Sequence, residues 1–261
     1  MDGCWRQLSL VLSTLVVALG LQQIATAEPK VLVDDQFDNG KIQNAGNGLS
    51  SYWKPFTTVV EADGKAQLIA QGRPYSKTTL SSPAEKQVSI FYQPVMIRID
   101  NIAFQQTGDI ALKDMQLRLG FRERNKWSFR NTKDAIAVQY RADGIVTVCW
   151  KVAQNKLDPE SGQRVFVKNL DMTQGLVTAL AFTADGTGDD IQWTLQVEQE
   201  KTHSQFYGVI GAVDTKAIKD GWGSKNHRAV VSVEVQGKLG SDFEGRSVSL
   251  EIGQLQISST K

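Results

Sequence analysis

The sequence predicts an all-β chain: a single antiparallel β-sandwich of jelly-roll type, residues 28–261, behind a signal peptide at residues 1–27. Three observations carry this. Segment 134–151, DAIAVQYRADGIVTVCWK, reads as a β-hairpin, with two runs rich in β-branched and aromatic residues flanking Arg141-Ala142-Asp143-Gly144. Asp-Gly favours a turn because glycine reaches positive φ without a Cβ clash and aspartate bonds its own backbone. Roughly a dozen short strand-like segments recur from turn to turn, as in a large sandwich or jelly roll. Helical periodicity is nearly absent.

In chain order, Val31 to Phe37 reads as an edge strand, followed by a polar loop over 41–54. Residues 57–61 and 65–70 flank Asp63-Gly64 as a second hairpin, and 71–83 read as loop. Val88 to Tyr92 and Val95 to Phe104 read as strands separated at Pro94, which lacks an N–H for the ladder. Met115, Leu117, Leu119 and Phe121 alternate with Gln116, Arg118 and Gly120. The hairpin follows; its second run is apolar in both phases, as a strand covered on both faces should be.

Residues 153–163 read as loop, and 164–169 and 176–183 as strands. Residues 191–200 alternate best, with Ile191, Trp193, Leu195 and Val197 inward and Gln192, Thr194, Gln196 and Glu198 outward. Residues 214–220 form one short helical turn before a loop at 221–227. Strands at 229–236 and 248–258 complete the chain, the last with a bulge at Gly253.

The N-terminus sets the compartment. Arg6, the apolar run Leu8 to Leu21 and Ala25-Thr26-Ala27 are the parts of a cleaved signal peptide, and the run is short for a membrane span. Export is the expectation, with no membrane insertion after cleavage. Cleavage removes Asp2 and Arg6 together, leaving the net charge of +1 unchanged. Such a balance points to neither nucleic acid nor membrane surface. Cys149 then stands alone, which rules out an internal disulfide and tilts towards a bacterial periplasm or medium.

Asp34-Asp35-Gln36-Phe37 followed by Trp53, the Leu117 to Phe121 strand, the YRADGIVTV hairpin and the SLEIGQLQIS segment together resemble the concanavalin A-like lectin and glucanase superfamily, in its laminin G-like bacterial secreted form. The resemblance implies two antiparallel sheets, one curved, and a concave face where members bind or cleave carbohydrate. It also implies, for laminarinase-type hydrolases, a Glu-x-Asp-x-x-Glu strand that this chain lacks.

Glycosidic hydrolysis takes two carboxyl groups about 5 to 10 Å apart. Glu198 and Glu200 share one strand face, with Glu234 available on another strand. The same residues also fit a solvated sheet face, or a face that binds sugar hydroxyls through Gln196 and Glu198. Segment 113–134 is locally basic, and Arg122, Arg124 and Trp127 suit a sulfated or uronic polysaccharide. A wet hairpin is the competing reading. Trp222 between two glycines reads as a rim-loop stacking residue or as an indole tucked under its own loop. Asp185, Asp189 and Asp190 fit weak calcium or a plain turn, as do Asp34, Asp35 and Asp38. His203 and His227 lack zinc spacing.

The sequence therefore points to non-catalytic polysaccharide binding through Trp222, Trp127, Arg122, Arg124, Gln196 and Glu198, with no cofactor beyond that calcium. The alternatives are a glycoside hydrolase using Glu198, Glu200 and Glu234, a lyase using Arg122, Tyr140 and His203, or a structural or adhesive protein with no sugar site.

Overall fold

The computed structural model describes residues 29–38, 50–52, 57–71, 77–82, 88–122, 135–151, 163–222, 227–235 and 245–259. Its strands are β1 (Lys30–Asp35), β2 (Ser50–Tyr52), β3 (Thr57–Ala62), β4 (Lys65–Gln71), β5 (Lys77–Ser81), β6 (Val95–Asp100), β7 (Ala103–Thr107), β8 (Met115–Arg122), β9 (Ala135–Arg141), β10 (Ile145–Lys151), β11 (Gln163–Asn169) and β12 (Val177–Asp185). Then come β13 (Ile191–Gln199), β14 (Thr202–Ile210), the helix α1 (Ala212–Trp222), β15 (Arg228–Val235), β16 (Ser247–Ile252) and β17 (Gln254–Ser259).

They form three antiparallel sheets: six strands in the order β1-β17-β6-β12-β13-β14, seven in the order β11-β10-β9-β8-β15-β5-β2, and four in the order β3-β4-β16-β7. The architecture is the expected all-β sandwich. Its hairpin, β9–β10, lies inside the seven-stranded sheet, and β1 is an edge. Alternation is what fastens the layers. Ile191, Trp193, Leu195 and Val197 of β13 are buried as a set, as are Met115, Leu117, Leu119 and Phe121 of β8. Phe121 meets Phe182 of the six-stranded sheet with ring centroids 6.0 Å apart. Phe166 meets Phe206 at 4.9 Å, closing one side. Phe104 meets Tyr140 at 5.8 Å, docking the small sheet.

Several local expectations change, among them β2, which lies within the expected loop 41–54. The segment read as one strand over 95–104 is two, and so is that over 248–258, because each passes from one sheet to another. At the crossing Gly253 N donates to the Asp100 carbonyl at 2.9 Å. A Cβ on Gly253 would lie 2.7 Å from Asn101 Nδ2, and Asn101 itself turns with φ 55°. The glycine marks a shared corner rather than a bulge. Residues 88–92 form a turn, not a strand, tied by Tyr92 N to the Ser89 carbonyl. Strand β5 lies within the expected loop 71–83, where its Ser and Thr read as turn formers. β14 was not expected, because an edge strand alternates only between half-buried and exposed. α1 extends the expected turn at both ends.

Candidate functional site

Because Met115, Leu117, Leu119 and Phe121 face the core, the pleat turns Gln116, Arg118, Gly120 and Arg122 to the outer face of the seven-stranded sheet. Register then lines up neighbours across strands. Glu234, Gln116 and Arg141 form one row. Ser232, Arg118, Gln139 and Thr147 form the next. Val230, Gly120, Ala137 and Cys149 form a third, and Arg228, Arg122 and Ala135 a fourth.

This polar face is buried at its centre: Gln116 is 0 % exposed, Arg118 3 %, Ser232 1 % and Glu234 7 %. Buried charge is costly unless paired, and here a network pairs most of it. The Gln139 amide donates to Gln116 Oε1, and Gln116 Nε2 donates to Glu234 Oε2 at 3.3 Å. Arg118 Nη2 lies 3.6 Å from the same oxygen. Among the polar atoms of the strip, Glu234 Oε1 and Ser232 Oγ are buried without a hydrogen-bond partner. A buried group left without any partner disfavours the folded chain by about 1–3 kcal/mol, so each calls for a polar partner, a water or a ligand group. Exposure rises towards β9 and β10, where the Arg141 side chain is 31 % exposed.

The carboxylates expected to cooperate are separated. Glu198 and Gln196 lie on the outer face of the six-stranded sheet, on the other side of the sandwich from Glu234. Glu198 accepts from Arg98 at 2.9 Å. Arg98 Nε also donates to Asp100 Oδ2 at 2.9 Å. The bond to Asp100 raises the Arg98 pKa, partial burial opposes it, and the bond to Glu198 adds to the rise. Glu200 lies exposed in the turn beyond β13. Glu234, on a strand of the other sheet, does not join Glu198 and Glu200 in one site.

The lyase trio is dispersed as well. Arg122 is on the outer face of one sheet, Tyr140 lies between sheets and His203 is exposed on β14 beside Glu198. Burial pushes Tyr140 up to about 12, partly offset by a backbone hydrogen bond from Val177, and this suits it to packing rather than proton transfer at neutral pH.

Trp222 is corrected too. It is 0 % exposed and ends α1, one helical turn after Ile218, so its indole joins the buried helix face with Thr215 and Ile218. Its ring meets Phe91 at 5.1 Å and His227 at 4.9 Å, which leaves no face for a sugar. The exposed aromatic nearby is Tyr92, 58 % exposed and stacked on His227 at 6.2 Å. Arg124 and Trp127 lie outside the described residues. Asp185 Oδ1 accepts from Thr187 N at 3.0 Å and Thr187 Oγ1 at 2.7 Å, a turn closed on itself. Asp189 and Asp190 are exposed, and among the described residues no three His, Cys, Asp or Glu side chains converge to hold a metal.

Gln116, Arg118 and Gln139 were missed as site residues. Segment 228–235, RAVVSVEV, alternates, with Ala229, Val231, Val233 and Val235 in one phase and Arg228, Val230, Ser232 and Glu234 in the other. Such a pattern reads as one buried and one wet face, so the burial of Ser232 and Glu234, and of the polar residues opposite them on β8, is visible only in the structure.

No family model matches the chain, and no curated protein matches it by sequence. Solved structures do. An endo-acting O-glycanase of the human gut microbiota superimposes with TM-score 0.55 at 9 % identity, over 89 % of this chain and 100 % of that one. The carbohydrate recognition domain of Emp46p gives 0.53 at 13 %, over 87 % and 94 %. Lectin I from Ulex europaeus, solved with a methyl glycoside of α-L-fucose, gives 0.50 at 10 %, over 84 % and 95 %. The fold is concanavalin A-like. At such identities the likeness extends to the fold alone, and the concanavalin A-like scaffold carries both sugar-binding proteins and glycanases among these neighbours.

Proposed function

We propose that this chain is exported after loss of residues 1–27 and binds a carbohydrate over the outer face of the seven-stranded sheet without cleaving it. The observation that carries the reading is the strip of buried Gln116, Ser232 and Glu234 with half-buried Gln139, in which Glu234 Oε1 and Ser232 Oγ have no hydrogen-bond partner. A sugar hydroxyl both donates and accepts, which suits such a polar strip, and the face is open to a sugar at its half-buried side, Gln139 and Arg141. Binding is favoured over hydrolysis because glycosidic cleavage takes two carboxyl groups. Among the described residues, the strands of this face turn one carboxylate outward, Glu234, and it is ion-paired with Arg118. No helix among the described residues is long and apolar enough to cross a membrane.

The test is binding to an array of neutral, uronic and sulfated polysaccharides, with calcium or a chelator, followed by assay for new reducing ends or unsaturated products. Binding without products is expected, insensitive to chelation, and weakened about tenfold in Ser232→Ala and Gln139→Ala, the loss of roughly one hydrogen bond each. Products would overturn the non-catalytic reading, and silence across the array would overturn the carbohydrate reading itself.

A further inference from the structure

A cavity of about 470 Å³ lies beside the β9–β10 turn, and none of Gln116, Arg118, Gln139, Ser232 and Glu234 lines it. Its walls come from β7, the β9–β10 turn and two short 3-10 turns at 112–114 and 172–174, with Ile102, Phe104, Leu112, Met115, Met172 and Leu176 among the lining side chains. Packed interiors rarely leave voids much larger than a water, whereas ligand pockets occupy about 300–1,000 Å³. Leu112 and Leu176, 53 % and 62 % exposed, are apolar side chains held in solvent beside this cavity.

Of the polar side chains in the wall, Gln106 is exposed at the rim, and Tyr140 and Asp143 already have partners. The Tyr140 hydroxyl takes its hydrogen bond from the Val177 backbone. Asp143 Oδ1 accepts from Arg141 Nε at 2.9 Å. A water needs two to four polar partners to be held in a protein, and this lining offers few. The walls are also fixed. Ala142 N donates to the Met115 carbonyl at 2.9 Å, pinning the hairpin turn to β8. Gly144, with φ +94°, lets Met172 close over that turn, since a Cβ there would lie 2.6 Å from Met172 Sδ. Asp171 caps the 172–174 turn through Thr173 N at 3.0 Å.

We infer that this cavity binds an alkyl chain, the apolar part of a small neutral amphiphile. Two thioethers give the lining the adaptability that a flexible chain requires, and the apolar side chains that make up most of the wall leave burial of methylenes as the main source of affinity, about 0.8 kcal/mol for each. The inference is independent of the carbohydrate reading, because none of the strip residues lines the cavity.

The test is calorimetric titration of the protein with octyl glucoside below its micelle concentration, with methyl glucoside as the chainless control. Octyl glucoside is expected to bind at least tenfold more tightly than methyl glucoside, with a negative heat-capacity change. Ala103→Phe, which fills the cavity from β7, should weaken it at least tenfold. Leu176→Asn, at an exposed wall position, should weaken it several-fold with the melting temperature kept. Ser232→Ala should leave it unchanged, which separates this site from the strip. Equal binding of the two glucosides, or octyl glucoside binding that survives both Ala103→Phe and Leu176→Asn, would overturn the inference.

Discussion

Trp222→Ala distinguishes an indole that grips sugar from one that holds the helix down. The side chain is fully buried, with Phe91 and His227 edge-on to it at 5.1 and 4.9 Å. Truncating a buried tryptophan costs about 3–5 kcal/mol in lost transfer energy and cavity, and each aromatic contact accounts for about 0.5–1.5 of that. In a chain of this size 1 kcal/mol shifts the melting temperature by about 2–4 °C, so a fall of roughly 6–20 °C is expected. Helix α1 would lose one of its three buried anchors, while Thr215 still donates to the Ile210 carbonyl and accepts from Ile191 N, each at 2.9 Å. The assay is urea unfolding followed by far-UV circular dichroism, with glycan binding measured on the folded fraction. Trp222→Phe should recover part of the loss. A stability change below about 0.5 kcal/mol, the scale of an exposed substitution, would refute the placement of this indole, and all the more if glycan binding vanished alongside it.

Two further outcomes follow. Glu198→Gln removes one arm of a partly exposed ion pair, so urea unfolding should shift by no more than about 1 kcal/mol, and carbohydrate binding should be unaffected. Tyr140 ionises near 12 rather than near 10 because burial disfavours its phenolate. The folded state therefore holds its proton more tightly than the unfolded state, so stability is intact below pH 10 and falls as pH rises from 10 towards 12. Absorbance at alkaline pH should show a late-titrating tyrosine that is missing in Tyr140→Phe; a Tyr140 that titrates near 10 would contradict its burial.

What could be read ahead depended on whether a segment's environment is periodic. β8 and β13 alternate because each lies between two neighbours with one face on the core, and their inward sets came out residue for residue. β14 was invisible because an edge strand has no fully buried phase apart from Ile210. β5, with Thr78, Thr79 and Leu80 all buried, was hidden because threonine serves strands and turns alike. The site was harder still. Glu198 and Glu234 look equivalent in sequence, and only the assignment of β13 and β15 to different sheets places them on opposite outer surfaces. Likewise Trp222 stands between two glycines, a spacing that reads as loop until Ile218 and Thr215 are seen to share its helical face.

The corner at Asn101 and Gly253 bears on the order in which the chain can acquire its structure. β17 sits between β1 and β6, and β16 between β4 and β7. Residues 247–259 are therefore a seam stitched through the middle of two sheets, not a terminal fringe. Until that seam is present, β1 has no partner and β4 and β7 cannot be joined, however well the β8–β15 region has paired. The most distant contacts in sequence, Asp34 to Gln254 among them, close at this step. Loop closure over such separations slows folding, so the decisive event should come late and engage both sheets at once. Loss of the seam would then unravel the molecule as a whole rather than fray one border.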